Sequence, residues 1–175
     1  MVADELARVM RSTLCPALSA EQAAQIVKAG KPLTVAAGQF VFREGDQAAG
    51  LFVFLKGKAE VMRGGGAGRG IPIATVEAPT VLGEMSLITE RPYYSATVRA
   101  ETDCDLFLVP RGAFLRLLWE ESVAAYKVVV AIAEVLARRM YRMDEKLMTF
   151  STQGATAPVE ELAAFKEKLF SEWSF

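Results

Sequence analysis

The chain has 175 residues, 52% of them hydrophobic and 23% charged, a globular balance that suits one domain with appendages and a full core. Its 20 basic and 21 acidic residues leave a net charge of −1, so no general electrostatic pull draws it to nucleic acid or an anionic membrane. It has no histidine, which excludes Ser-His and Cys-His nucleophile pairs and His-rich metal sites.

Residues 3–13 read as a first helix, which Pro16 ends or bends. The charges Asp4, Glu5, Arg8 and Arg11 interrupt this start, unlike the apolar run of a signal peptide. Ser19 and Gln22 have capping-box spacing, so a second helix is predicted from there to Gly30. From Pro32 to Val109 the texture changes to short β-prone runs: LTVAA, FVFRE, LFVFLK, AEVMR, IPIATVE, YSATVRA and CDLFLVP. Gly38, Gly45, Gly57, a glycine cluster at 64–70 and Pro79 punctuate them. Short strands at this spacing predict a barrel or jelly roll rather than a βαβ sheet. In Lys56-Gly57-Lys58 the glycine is expected to supply the positive φ of a tight hairpin.

Pro110 suits the first position of a short helix with Phe114, Leu117 and Leu118 on its apolar face. A longer helix is predicted over about 122–148. Val129, Ile132, Leu136, Met140, Met143, Leu147 and Phe150 recur along it at steps of three and four, a stripe suited to packing on the barrel or to a two-helix seam. Arg138, Arg139, Arg142, Asp144, Glu145 and Lys146 fill much of the rest, most simply as a solvated face. Residues 151–158 read as a linker. Leu162, Phe165, Leu169 and Trp173, with Phe170 beside them, then mark a short lid or docking helix, too short for a helix-turn-helix domain.

The predicted fold class is α+β: a β-barrel or jelly roll over 32–121, flanked by N-terminal helices (1–31), a long C-terminal helix (122–150) and a linker with terminal helix (151–175). Cys15 and Cys104 sit in apolar settings and read as buried reduced thiols rather than a disulfide or redox pair. The most apolar stretch, 128–137, is broken by Glu134 and too short to span a bilayer, so a soluble cytoplasmic protein is expected.

Residues 83–98, GEMSLITERPYYSATV, carry the functional signal. Gly83 permits close backbone approach, and a short helix at Met85 to Ile88 would aim amides at an anion. Glu84 can accept from a hydroxyl, Ser95 can donate, and the backbone of Ser95, Ala96 and Thr97 adds amides. The stretch resembles the phosphate-binding cassette of cyclic-nucleotide-binding domains, whose pattern is roughly F-G-E-[LIM]-[AS]-L-[LI] and then R-[SA]-A-[TS]-V. Gly38 with VFREGD at 41–46 and LFVFLKGKAEV at 51–61 are similar to the family's strands, and the order of helices, barrel and long helix matches over about 15–148.

That resemblance implies a ligand site at Gly83, Glu84, Met85, Ser86, Tyr94, Ser95, Ala96 and Thr97, with Glu84 on a ribose hydroxyl. The family's phosphate-pairing arginine is replaced here by Tyr94, which offers one hydrogen bond and no charge. Losing such a bond costs about 1.5–3 kcal/mol, roughly ten- to a hundredfold in affinity. Arg91, Arg138 and Arg139 are candidates to replace it. Met143 and Asp144 fall roughly where the family's long helix meets the base.

Other signals are bland. GGGAGRG at 64–70 lacks the ending of a P-loop and precedes a strand, so it reads as a hairpin tip. Nothing fixes Glu84, Glu90, Glu120 or Glu121 at catalytic separation. The expectation is a non-enzymatic regulatory sensor that binds cAMP or cGMP, or a related small anion, and relays occupancy through the long helix. It implies no metal or cofactor, a homodimer through that helix, a protein partner at the terminal helix, and no DNA or membrane. The alternative is a module that has lost nucleotide recognition and acts in dimerisation or partner docking.

Overall fold

A computed structural model describes residues 3–64, 70–90 and 92–153, with the side chains of Ala3, Arg139 and 142–153 outside the description. Helix α1 spans Ala3–Thr13 and α2 spans Ala20–Lys28. The capping box at α2 forms as its spacing predicts: Ser19 Oγ accepts from the Gln22 amide at 3.1 Å, and Gln22 Oε1 accepts from the Ser19 amide at 3.0 Å.

Among the described residues eight strands follow: β1 (Lys31–Val35), β2 (Phe40–Phe42), β3 (Gly50–Lys56), β4 (Lys58–Arg63), β5 (Ile71–Glu77), β6 (Thr80–Leu82), β7 (Thr97–Ala100) and β8 (Cys104–Pro110). Helix α3 (Met85–Ile88) interrupts them between β6 and β7, and α4 (Arg111–Trp119) and α5 (Val123–Gln153) close the described chain. Two four-stranded antiparallel sheets form, ordered β1-β8-β3-β6 and β2-β7-β4-β5.

In the first sheet the inner strands β3 and β8 are buried on both faces, whereas the edge strand β1 is largely exposed. Leu51 and Val53 of β3 and Phe107 and Val109 of β8 join a core with Met10, Ile26, Phe114, Val128 and Ile132 of the helices. The alternate residues Phe52, Phe54, Leu106 and Leu108 face the second sheet, where Val61, Ile73, Val76 and Val98 complete a separate core. Double burial explains why LFVFL and DLFLV read as unbroken apolar runs, whereas β4 alternates. The second sheet turns polar groups outward, including an Arg99–Glu60 ion pair at 2.8 Å.

Four local expectations need correction. Gly57 does take a positive φ of 100°, but it turns a corner between the sheets, because β3 pairs with β6 and β8 whereas β4 pairs with β5 and β7. Pro110 is extended (φ −62°, ψ 136°) and caps α4 from outside rather than opening it, since β8 runs up to it. Strand β6 escapes the sequence reading because three residues after a proline give no period. The long helix continues to Gln153, so 151–153 belong to it and not to a linker.

Cys15 and Cys104 are both buried and free. Among the described residues, no helix is long and apolar enough to cross a membrane. Leu162, Phe165, Leu169, Phe170 and Trp173 lie outside the described residues.

Candidate functional site

A cavity of about 200 Å³ opens between the two sheets. Its walls are aliphatic, from Val61, Ala74, Val76, Leu82 and Val98, with the Phe42 ring at one side. The segment after β6 closes it. Gly83 turns the chain with φ +78°, and a Cβ there would stand 2.8 Å from the Gly50 carbonyl oxygen and 3.1 Å from Tyr94 Cε1. Both the conformation and the space therefore call for glycine.

The turn delivers Glu84 and Ser86 to the cavity, both nearly inaccessible at 4% and 2% exposure. Ser86 Oγ donates to the Gly83 carbonyl at 2.6 Å, which ties the first turn of α3 to the glycine. The other end of α3 is held by Arg111, whose Nη1 donates to the Ser86 carbonyl at 3.0 Å and Nη2 to the Thr89 carbonyl at 2.9 Å. A cation on the carbonyl end of a helix is favourable, and this one joins the cassette to α4.

Tyr94 is held through its backbone, its ring and its phenol. Its amide donates to the Asp46 carbonyl at 3.0 Å and its carbonyl accepts from the Gly45 amide at 2.9 Å, so the turn before β3 fixes its backbone. The ring stacks on Phe42 with centroids 3.9 Å apart and 18° between planes. The phenol donates to the Gly50 carbonyl at 3.1 Å and accepts from the Gly50 amide at 3.2 Å. Burial pushes the phenol above its ordinary value, although the bond to Gly50 pulls the other way.

Because the folded chain holds this proton more tightly than the unfolded chain, the contribution is intact below the ordinary phenol value of about 10 and is lost as pH rises through the raised one. Tyr94→Phe should cost about 1–3 kcal/mol at neutral pH, since both Gly50 groups lose their phenol partner. Urea midpoints across pH 7–11 should show that deficit narrowing at the alkaline end; a constant gap counts against the Tyr94–Gly50 hydrogen bonds as a latch.

The description of the cyclic nucleotide-binding domain matches residues 32–121, the β-roll and α4 together. The chain belongs to this family. A cAMP-dependent protein kinase regulatory subunit of Pyricularia oryzae is 32% identical over 113 residues, covering 60% of this chain and 29% of that protein. A cGMP-dependent protein kinase of Caenorhabditis briggsae is 29% identical over 106 residues, 61% of this chain and only 13% of the kinase. The chain thus spans a minor part of these relatives. A cyclic nucleotide-binding domain from Methylobacillus flagellatus, 22% identical, superposes with a TM-score of 0.69 over 89% of this chain and 86% of its own, a likeness of fold.

Within this family domain, Gly83, Glu84, Met85, Ser86, Tyr94, Ser95 and Ala96 all line the cavity, with Met85 and Ser95 exposed at its mouth. Thr97 does not line it; its hydroxyl accepts from the Glu44 amide at 2.9 Å and fixes the loop after β2. Arg138 is exposed on α5 and is not among the lining residues. Arg91 lies outside the described residues, as do the side chains of Arg139, Met143 and Asp144. Sequence reasoning missed Phe42, Val61, Ala74, Val76, Leu82, Thr89, Tyr93 and Val98. AEVMR and IPIATVE read only as β-prone runs, and it takes the pairing of β4 with β5 and β7 to bring Val61, Ala74 and Val76 to the cassette.

Proposed function

We propose that this domain is a regulatory sensor: a small molecule enters the cavity against Glu84 and the cassette, and its occupancy is relayed through α3 and α4 to α5. The observation that carries the reading is the continuity of that path. Glu84 and Ser86 line the cavity, Arg111 of α4 holds the carbonyls of Ser86 and Thr89, and Leu87 is buried in one cluster with Phe114 of α4 and Val128 and Ile132 of α5. A ligand that shifts α3 biases the packing of α5, the two-state element such a sensor needs.

Helix α5 also supports self-association. Opposite its buried face, Val123, Tyr126, Val130, Ala133, Ala137 and Met140 are all exposed, and they recur at steps of three and four. A second copy pairing along this seam fits both the spacing and the small central alanines. It differs from the predicted stripe, in which Ile132 is fully buried within the domain.

The names of the kinase relatives make cAMP and cGMP the first ligands to titrate. With Tyr94 latched to Gly50, the expectation is weak binding of both by the wild type, strengthened about ten- to a hundredfold in Tyr94→Arg, the range of one charge-assisted bond. Tight wild-type binding would show that the cassette recruits its charge elsewhere. The same latch favours a second reading, a module that has lost nucleotide recognition and works by pairing along α5. No heat with any ligand, together with nothing retained in native mass spectrometry, would leave that reading in place of the sensor.

A further inference from the structure

Tyr93 combines a clamped backbone with an exposed ring at the mouth of the cavity. The Ala48 amide donates to the Pro92 carbonyl at 2.6 Å and the Tyr94 amide to the Asp46 carbonyl at 3.0 Å, while Tyr93 itself bridges antiparallel to Gln47. Side chains alternate along such a pairing. Tyr94 therefore turns inward onto Phe42, and Tyr93 turns outward with 60% of its surface exposed. The outward ring still lines the cavity, as does the exposed Met85 of α3.

A single exposed aromatic needs no explanation on an ordinary surface. At Tyr93 two observations coincide: the ring borders a chamber, and its backbone is already fixed. Tyrosine has only two side-chain torsions, so such a ring offers contact area with little freedom left to lose on binding. Its flat face suits another flat face, and an aromatic side chain stacks on any nucleic-acid base. The thioether of Met85 adds a second group that packs well on a ring system. The cavity volume of about 200 Å³ lies below the roughly 300–1,000 Å³ of pockets for drug-sized ligands, so part of a nucleotide would stand at the mouth.

We infer that Tyr93 is a specificity-determining residue of the cavity: its ring stacks on the planar base of a bound purine nucleotide, while the sugar and phosphate enter toward Glu84 and the cassette. This rests on the sensor reading and names the part of the ligand that Tyr93 selects.

The test titrates the whole chain with cAMP and with cGMP and follows the proton NMR spectrum of the ligand. A base stacked on Tyr93 lies in its ring current, so H2 and H8 of cAMP and H8 of cGMP should move upfield on binding. Tyr93→Leu keeps bulk and removes the ring. It should abolish most of that shift and weaken binding about five- to a hundredfold, the range for one base–aromatic stack, with the urea midpoint unchanged. Tyr93→Phe should match the wild type in both shift and affinity. An undiminished shift and equal affinity in Tyr93→Leu overturn the inference and leave the sensor reading standing. So does an equal loss in Tyr93→Phe, which assigns the contact to the hydroxyl instead of the ring. A wild type that binds neither nucleotide overturns the inference; if native mass spectrometry also finds no retained molecule, the sensor reading falls with it.

Discussion

Gly50→Ala should destabilise the domain by at least about 3 kcal/mol, the sum of a strained backbone and an overpacked contact. Gly50 holds φ +154°, and a Cβ there would stand 2.1 Å from the Val109 carbonyl oxygen and 2.8 Å from the Arg111 amide nitrogen. Those neighbours are backbone atoms of the β8–α4 junction and cannot swing aside as a side chain can. Gly50 also receives the Tyr94 phenol and lies against Gly83, so the damage reaches the cassette. Urea denaturation is the measurement. A loss below about 0.5 kcal/mol, the ordinary range for a surface change, would mean that the junction yields.

Arg111→Ala should cost about 1.5–3 kcal/mol, the range for hydrogen bonds to a charged group, and should loosen α3 specifically. The carbonyls of Ser86 and Thr89 lose their donor, and the tie between the cassette and α4 is cut. Amide exchange at Thr89, whose N–H closes α3 on the Met85 carbonyl, should quicken well beyond the change in global stability. Arg111→Lys should recover only part, because an ammonium is a point donor and cannot reach both carbonyls as a planar fork does. Equal protection of Thr89 in wild type and Arg111→Ala would remove Arg111 from the relay.

The elements legible in the sequence were those whose period or cap acts locally. The Ser19–Gln22 box, the alternating β4 and the apolar runs of β3 and β8 announce themselves, and the cassette stands out by its order of residue types. What the sequence hides are facts of pairing. Gly57 looks the same whether it closes a hairpin or turns between sheets, because the glycine answers only to φ. Tyr94 reads as a missing arginine, and only its distance to Gly50, 44 residues away, shows a structural latch. The outer face of α5 was overlooked for a similar reason. A helix apolar on two sides offers several stripes, and burial against α2, α3 and α4 decides which is left outside.

The two separate cores carry a consequence for how such a domain diversifies. Residues that shape the chamber from the second sheet, Val61, Ala74, Val76 and Val98, contribute nothing to the helical cluster that positions α5. Substitutions without shared partners act almost additively. Under the proposed sensor reading, ligand preference can therefore drift through that sheet while the proposed relay to α5 stays fixed, and the helical side can change without disturbing the chamber. Strands β3 and β8, buried on both faces and serving both cores through alternate residues, are the wall between two independently adjustable compartments.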